Sequence, residues 1–134
     1  MNAAAVGIFG AIGALLRYGL GLYVRDWWSS PFPLGTLLIN LAGCLALGWF
    51  SSWAAARKGL PAWVRTGVGT GLVGAFTTFS TFSVETVELI RDGRWGFAAL
   101  YVLASLAGGF LLAWAGYGLF QAQERRRDRR GSET

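Results

Sequence analysis

Residues 67–83 read Gly67-Val68-Gly69-Thr70-Gly71-Leu72-Val73-Gly74-Ala75-Phe76-Thr77-Thr78-Phe79-Ser80-Thr81-Phe82-Ser83, inside an apolar segment long enough to cross a membrane. The middle of this stretch is wrong for an ordinary span. Glycines at 67, 69, 71 and 74 give way to five hydroxyl residues interleaved with Phe76, Phe79 and Phe82. Glycine is a poor helix former, and hydroxyl side chains compete for backbone partners. Non-helical backbone at membrane depth survives only where protein or a watery cavity surrounds it. The stretch therefore predicts a broken helix, with the functional site at the break.

The rest of the composition agrees with a membrane setting. Of 134 residues, 54% are hydrophobic and 14% charged, and the mean hydropathy is +0.44. Four spans of ~20 residues would use ~80 residues and leave short loops. Seven Trp and four Tyr suit interfacial belts. The N-terminal sequence lacks the positive region of a cleavable signal, so the first span is expected to direct insertion itself. With no His and one Cys, Cys44, neither an internal disulfide nor a thiolate or imidazole metal site is expected.

Working outward gives four spans. Span 1 covers about 3–24, with Gly7, Gly10, Gly13 and Gly21 on small faces and Arg17 either snorkelling or buried. Pro31 and Pro33 delay span 2, which covers about 34–56 and carries Thr36 and Asn40 on one face. Trp49 and Trp53 mark its far interface. Span 3 covers about 61–90; beyond the break it is amphipathic. One stripe holds Phe79, Phe82 and Thr86, another Thr78, Thr81, Glu85 and Glu88. Span 4 covers about 95–120 without a charge, with Tyr101 and Ser105 on one face. The domain plan is thus a transmembrane unit over 1–120 and a basic tail over 121–134, expected to lose order at its end.

The motifs exclude several classes. Gly69 to Gly74 fits G-x-G-x-x-G, but a nucleotide site needs a preceding strand and a βαβ unit. Glu85 and Glu88 have no nucleophile and base beside them, so no enzyme is expected. The tail holds five of the twelve basic residues, and beside a span they face headgroups or water rather than nucleic acid. Asn40 has two readings, interhelical glue or an ion contact; its amide donors can replace water around an ion. The phenylalanine stripe is either core or an anion contact, since a ring is positive at its edge. Neutral donors with ring edges suit a small hydrated anion, which must bind without being trapped. Four slim, glycine-rich helices suggest oligomerisation, most simply a dimer.

On these residues the chain resembles the Fluc (CrcB) fluoride channels. The motif residues are Gly10-Ala11-x-Gly13-Ala14-x-x-Arg17-Tyr18, Gly35-Thr36-x-x-x-Asn40-x-x-Gly43, and Gly71-x-x-Gly74-x-Phe76 through Ser83. The resemblance implies an all-α membrane protein with four transmembrane helices, the third broken near its middle, in an antiparallel, dual-topology homodimer. It implies two fluoride pores lined by Asn40, Phe79, Phe82, Ser80, Thr81, Tyr101 and Ser105. It further implies a central sodium ion (Na+) on the main-chain carbonyls of Gly74 and Thr77. The implied role is passive export of fluoride across the inner (plasma) membrane after entry as neutral HF.

Charge distribution leaves the partner open. Arg57, Lys58, Arg65 and the five tail arginines lie on one side, and Arg25, Arg91 and Arg94 on the other. The bias rests wholly on the tail. A homodimer inserting both ways is favoured over one half of a heterodimer with an inverted paralogue. The runner-up function is a small four-helix proton-coupled multidrug exporter, which needs a carboxylate in span 1 where this chain has Arg17. A passive assembly subunit is a third class.

Overall fold

Loop chemistry divides the chain. In the computed structural model, which describes residues 2–131, α1 spans Asn2–Trp27 and α2 spans Leu34–Ala56. Between them Pro31 and Pro33 hold the chain out of helix, and Trp28 Nε1 donates to the Phe32 carbonyl at 2.8 Å. A short turn around Gly59 leads to α3, Ala62–Thr66, which continues into a π-helical segment, Gly67–Val73, and α4, Gly74–Phe76. Helix α5 spans Phe79–Arg91 and α6 spans Trp95–Gly131. Every regular element among the described residues is helical.

The turn between α5 and α6 is set by Gly93. Its φ of 73° is a conformation that side chains with a Cβ resist. It lets Gly93 N–H reach the Ile90 carbonyl at 3.0 Å and Arg94 N–H reach the Leu89 carbonyl at 2.8 Å. That pair of bonds is the Schellman arrangement that ends a helix and reverses the chain.

Helices α1, α2 and α6 are each long and apolar enough to cross a membrane. The remaining expected span, span 3 over 61–90, is divided into several helical pieces, as its sequence predicts. Its first part widens to i→i+5 bonding, with Gly74 N–H reaching the Gly69 carbonyl. The helix thus widens over the glycine run without ending there. The break falls three residues after Gly74, where Thr77 and Thr78 are extended (ψ 159° and 117°).

Small residues bring backbones together. Against α2, α6 approaches so closely at Gly48 and Gly116 that a Cβ at either would strike backbone of the other helix. In the same way α1 lies on the π segment, with Gly13 against the Leu72 carbonyl and Gly71 against Val6. A buried apolar cluster joins α2, α5 and α6 through Leu37, Leu89, Ala98 and Tyr101. Outside it, large apolar side chains face outward, among them Leu15 and Leu16 on α1 and Phe110 and Trp114 on α6. Apolar surface on this scale suits lipid or another protein copy.

Two boundaries differ from the sequence expectation. α1 runs three residues past 24, to Trp27. More substantially, α6 does not stop near 120 but continues through the basic tail to Gly131. Residues 121–130 are Gln, Ala, Glu, Arg and one Asp, mostly strong helix formers without Gly or Pro, so nothing breaks the helix. Gln123 Oε1 also accepts from Trp49 Nε1 at 3.0 Å, tying the extension to α2. The expected loss of order concerns 132–134, which lie outside the described residues.

Candidate functional site

The break is held by a side chain from another helix. Asn40 on α2 accepts the Thr78 N–H on Oδ1 at 2.8 Å and donates Nδ2 to the Thr78 carbonyl at 3.1 Å. A primary amide thus replaces the helical partners of an extended residue on both sides. Thr78 then caps α5, its Oγ1 accepting Thr81 N–H at 3.2 Å.

These bonds have a consequence upstream. In an unbroken helix, Thr78 N–H would serve the Gly74 carbonyl and Thr81 N–H the Thr77 carbonyl. Each N–H is a single donor, and both are committed elsewhere, to Asn40 Oδ1 and Thr78 Oγ1. The Gly74 and Thr77 carbonyls lose their helical donors. The Thr77 hydroxyl is itself occupied, donating to the Val73 carbonyl at 3.0 Å. Gly43 on α2 makes room for this corner, since a Cβ there would overlap the Thr77 methyl.

Beside the break runs a groove of about 360 Å³. Asn40, Phe79, Phe82 and Ser105 line it together with Gly74 and Thr77. Phe79 and Phe82 lie with ring centroids 5.8 Å apart. Phe82 is half-buried against the core cluster. Phe79 is 80% exposed, so core packing within the chain does not account for it. Asn40 Nδ2 carries a second N–H beyond the one given to Thr78. Ser105 Oγ is buried and has no hydrogen-bond partner among the described residues. A buried hydroxyl without a partner is costly, and this one borders the groove.

The other expected site residues sit differently. Ser80 and Thr81 are exposed on the first turn of α5, outside the groove lining, and join Thr78 Oγ1 at 3.3 and 2.9 Å. Tyr101 is fully buried (0% exposed). Its ring lies 5.0 Å from that of Phe82, centroid to centroid. Its hydroxyl donates to Glu85 Oε2 at 2.7 Å. Thr36 Oγ1 donates to Glu85 Oε1 at 2.8 Å. One carboxylate therefore ties α2, α5 and α6, with both oxygens in charge-assisted bonds. Glu85 opens onto a second cavity of about 440 Å³ that also holds Glu88, Asp92, Arg25 and Arg94.

Sequence reasoning placed Thr36 with Asn40, and Glu85 with Glu88, but missed the Thr36–Glu85–Tyr101 clasp. The signal available was a carboxylate and two hydroxyl groups on three apolar segments. It also missed that Thr78 is the partner of Asn40, a pairing between residues 38 positions apart.

A family model described as CrcB-like protein, Camphor Resistance (CrcB), matches residues 4–117. A protein of Geobacillus kaustophilus (strain HTA426) named fluoride-specific ion channel FluC 2 is 54% identical over 121 residues, covering 90% of this chain and 94% of its own. Fluoride-specific ion channel FluC 1 of Bacillus cereus (strain ATCC 10987 / NRS 248) is 54% identical over 114 residues, 85% of this chain and 83% of its own. A more distant relative, FluC 2 of Listeria monocytogenes serotype 4b (strain F2365), is 40% identical over 107 residues, 80% of this chain and 81% of its own.

Proposed function

The chain belongs to the CrcB family, and from that premise we propose that it is a fluoride-specific ion channel whose conducting surface is the groove at the break. It is a multi-pass membrane protein and a transporter rather than an enzyme. The observation that carries the assignment to the groove is that Asn40, Phe79, Phe82 and Ser105, from α2, α5 and α6, line one cavity. The free Asn40 N–H and the Ser105 hydroxyl can donate to an anion, and ring edges can face it without a trapping charge. Ser80 and Thr81 continue the hydroxyl track on the exposed side of α5. Tyr101 acts through the Phe82 ring and Glu85.

The working form in this proposal is an antiparallel homodimer. It has two pores and four crossings per chain, with 61–90 as a broken third crossing. Its support is the exposure of Phe79 and of the outward faces of α1 and α6, which need lipid or a second copy against them. The eight basic residues on the tail side favour a second reading, one half of a heterodimer with an inverted paralogue. Sodium fits the donor chemistry at Gly74 and Thr77: carbonyls freed by a broken helix are hard neutral oxygen ligands of the kind such an ion takes. When bound, the ion would supply a positive charge that holds two such breaks together. The chain's own part is Asn40, which keeps the Thr78 N–H away from the Gly74 carbonyl. The biological role that follows is passive export of fluoride across the inner membrane.

The test is ion efflux from liposomes holding the purified protein. Fluoride should leave rapidly and chloride should not. Equal passage of both, or of neither, removes the reading. A melting temperature that rises with sodium but not with a large organic cation supports the ion site, because a ligand of the folded state stabilises it by RT ln(1 + [L]/Kd), which grows with its concentration; identical curves remove that site.

A further inference from the structure

The groove at the break continues past Asn40. Its α2 wall, Asn40, Gly43, Cys44 and Leu47, extends along the same helical face to Ser51 and Ala54, at spacings of three and four. These last residues line a further cavity of about 400 Å³, closed from the other side by Arg65, Gly69 and Thr70. Leu47 and Gly69 border both cavities. The α2 wall from Asn40 to Ala54 rises ~21 Å. The two adjoining cavities therefore lie in line from the break toward the end of α2 that carries the turn at Gly59.

The two ends differ in charge. At the α5–α6 turn, the cavity mixes Arg25 and Arg94 with Glu85, Glu88 and Asp92. At the other end, Arg65 is the charged residue of the lining among the described residues. Its Nη2 donates to the Ala54 carbonyl at 3.2 Å, which holds the guanidinium against the end of α2. A guanidinium has five N–H groups, so that one bond leaves donors to spare. Ser51 and Thr70 place exposed hydroxyls beside it.

We propose that Arg65, with Ser51 and Thr70, forms an anion-receiving mouth at this end of the groove, one that concentrates a small hydrated anion before it reaches Asn40. The proposal rests on the channel reading above and adds a residue which that reading does not use. Arg65 is exposed, so its field acts through water: it raises the local anion concentration without holding the ion, and salt screens it. A unit charge ~6 Å away in water changes local concentration about threefold. With one of two mouths affected, the loss on removing the charge is about twofold.

The experiment measures initial fluoride efflux from neutral-lipid liposomes holding the full chain, its Arg65→Lys variant or its Arg65→Gln variant. Sodium is fixed, and ionic strength is raised with potassium gluconate. At low ionic strength Arg65→Gln should be about twofold slower and Arg65→Lys close to the parent, with the difference vanishing at high ionic strength. A parental rate from Arg65→Gln at low ionic strength overturns the proposal. So does a deficit that salt does not erase, which would make Arg65 only a prop for the end of α2. If Arg65→Gln does not fold, the parent decides: its own efflux at low fluoride must fall as salt rises, and a salt-independent rate overturns the mouth. A parent that passes no fluoride at all takes the channel reading with it, whereas a conducting parent with an unaffected Arg65→Gln variant removes the mouth alone.

Discussion

The two sides of the break are built by opposite means. Before it, from Gly67 to Phe76, the chain is held by what is missing: glycines let α1 lie backbone against backbone on a widened helix. After it, from Thr78 to Arg91, the chain is held by side chains: Asn40 on Thr78, Thr78 on Thr81, and Thr36 and Tyr101 on Glu85. The first side should tolerate polarity changes poorly only where they add volume. The second should tolerate volume changes and fail when a donor or acceptor is lost. A transport pathway needs the second kind of surface and a rigid first kind to lean on.

The largest effect is expected on the volume side. Gly13→Val places a Cβ and two methyls on the Leu72 carbonyl, and overpacking costs ~1–3 kcal/mol or more even where side chains can shift; here the obstacle is backbone. The yield of monodisperse protein in detergent should collapse. A normal yield would mean that α1 and the π segment are not rigidly apposed, and the contrast would lose its first half.

Next comes Asn40→Asp, nearly equal in volume. It loses the donor to the Thr78 carbonyl and puts a negative charge in the groove. We expect fluoride efflux to fall at least ~10-fold, with a lower melting temperature, since a buried group left without its partner costs ~1–3 kcal/mol. Efflux and melting both at parental values would show that Asn40 neither contacts the anion nor holds the break.

How much of this contrast can be read in the sequence differs by side. The glycine and hydroxyl pattern of 67–83 locates a break between two unlike halves, because backbone freedom and local competition are properties of neighbouring residues. The start of α2 follows from Pro33 and its end from Arg57 and Lys58, so both ends fall where expected. Widening to a π-helix is not legible, because it depends on how closely α1 lies on the segment. Nor is the Asn40–Thr78 pair, or the clasp at Glu85, since each joins separate helices. The groove residues Asn40, Phe79, Phe82 and Ser105 were recognisable by kind. That Tyr101 is sealed in the core and that Ser80 and Thr81 face outward depends on the rotation of α5 and α6. That α6 carries on through 121–131 adds to the span ending near 120, and it follows from the helix-forming residues of the tail.

A smaller effect is expected at the clasp. Tyr101→Phe removes one bond to Glu85 and keeps the ring against Phe82. A hydrogen bond to a charged group is worth ~1.5–3 kcal/mol, so melting should drop while the Thr36 bond still orients the carboxylate. An unchanged melting temperature would make the clasp incidental and weaken the claim that side-chain bonding defines this half.

The smallest effect on stability, and the sharpest on function, belongs to Phe79. It is 80% exposed within the chain, and replacing it with Leu is a near-conservative apolar change expected to cost well under ~1.5 kcal/mol. It does remove from the groove lining an aromatic ring, whose edge is positive. The measurement is fluoride efflux from liposomes carrying equal amounts of monodisperse parent and Phe79→Leu protein. The account predicts matching melting temperatures with efflux from the variant reduced at least ~10-fold. Parental efflux from Phe79→Leu would contradict it, and fluoride would have to cross without the aromatic contact proposed at Phe79.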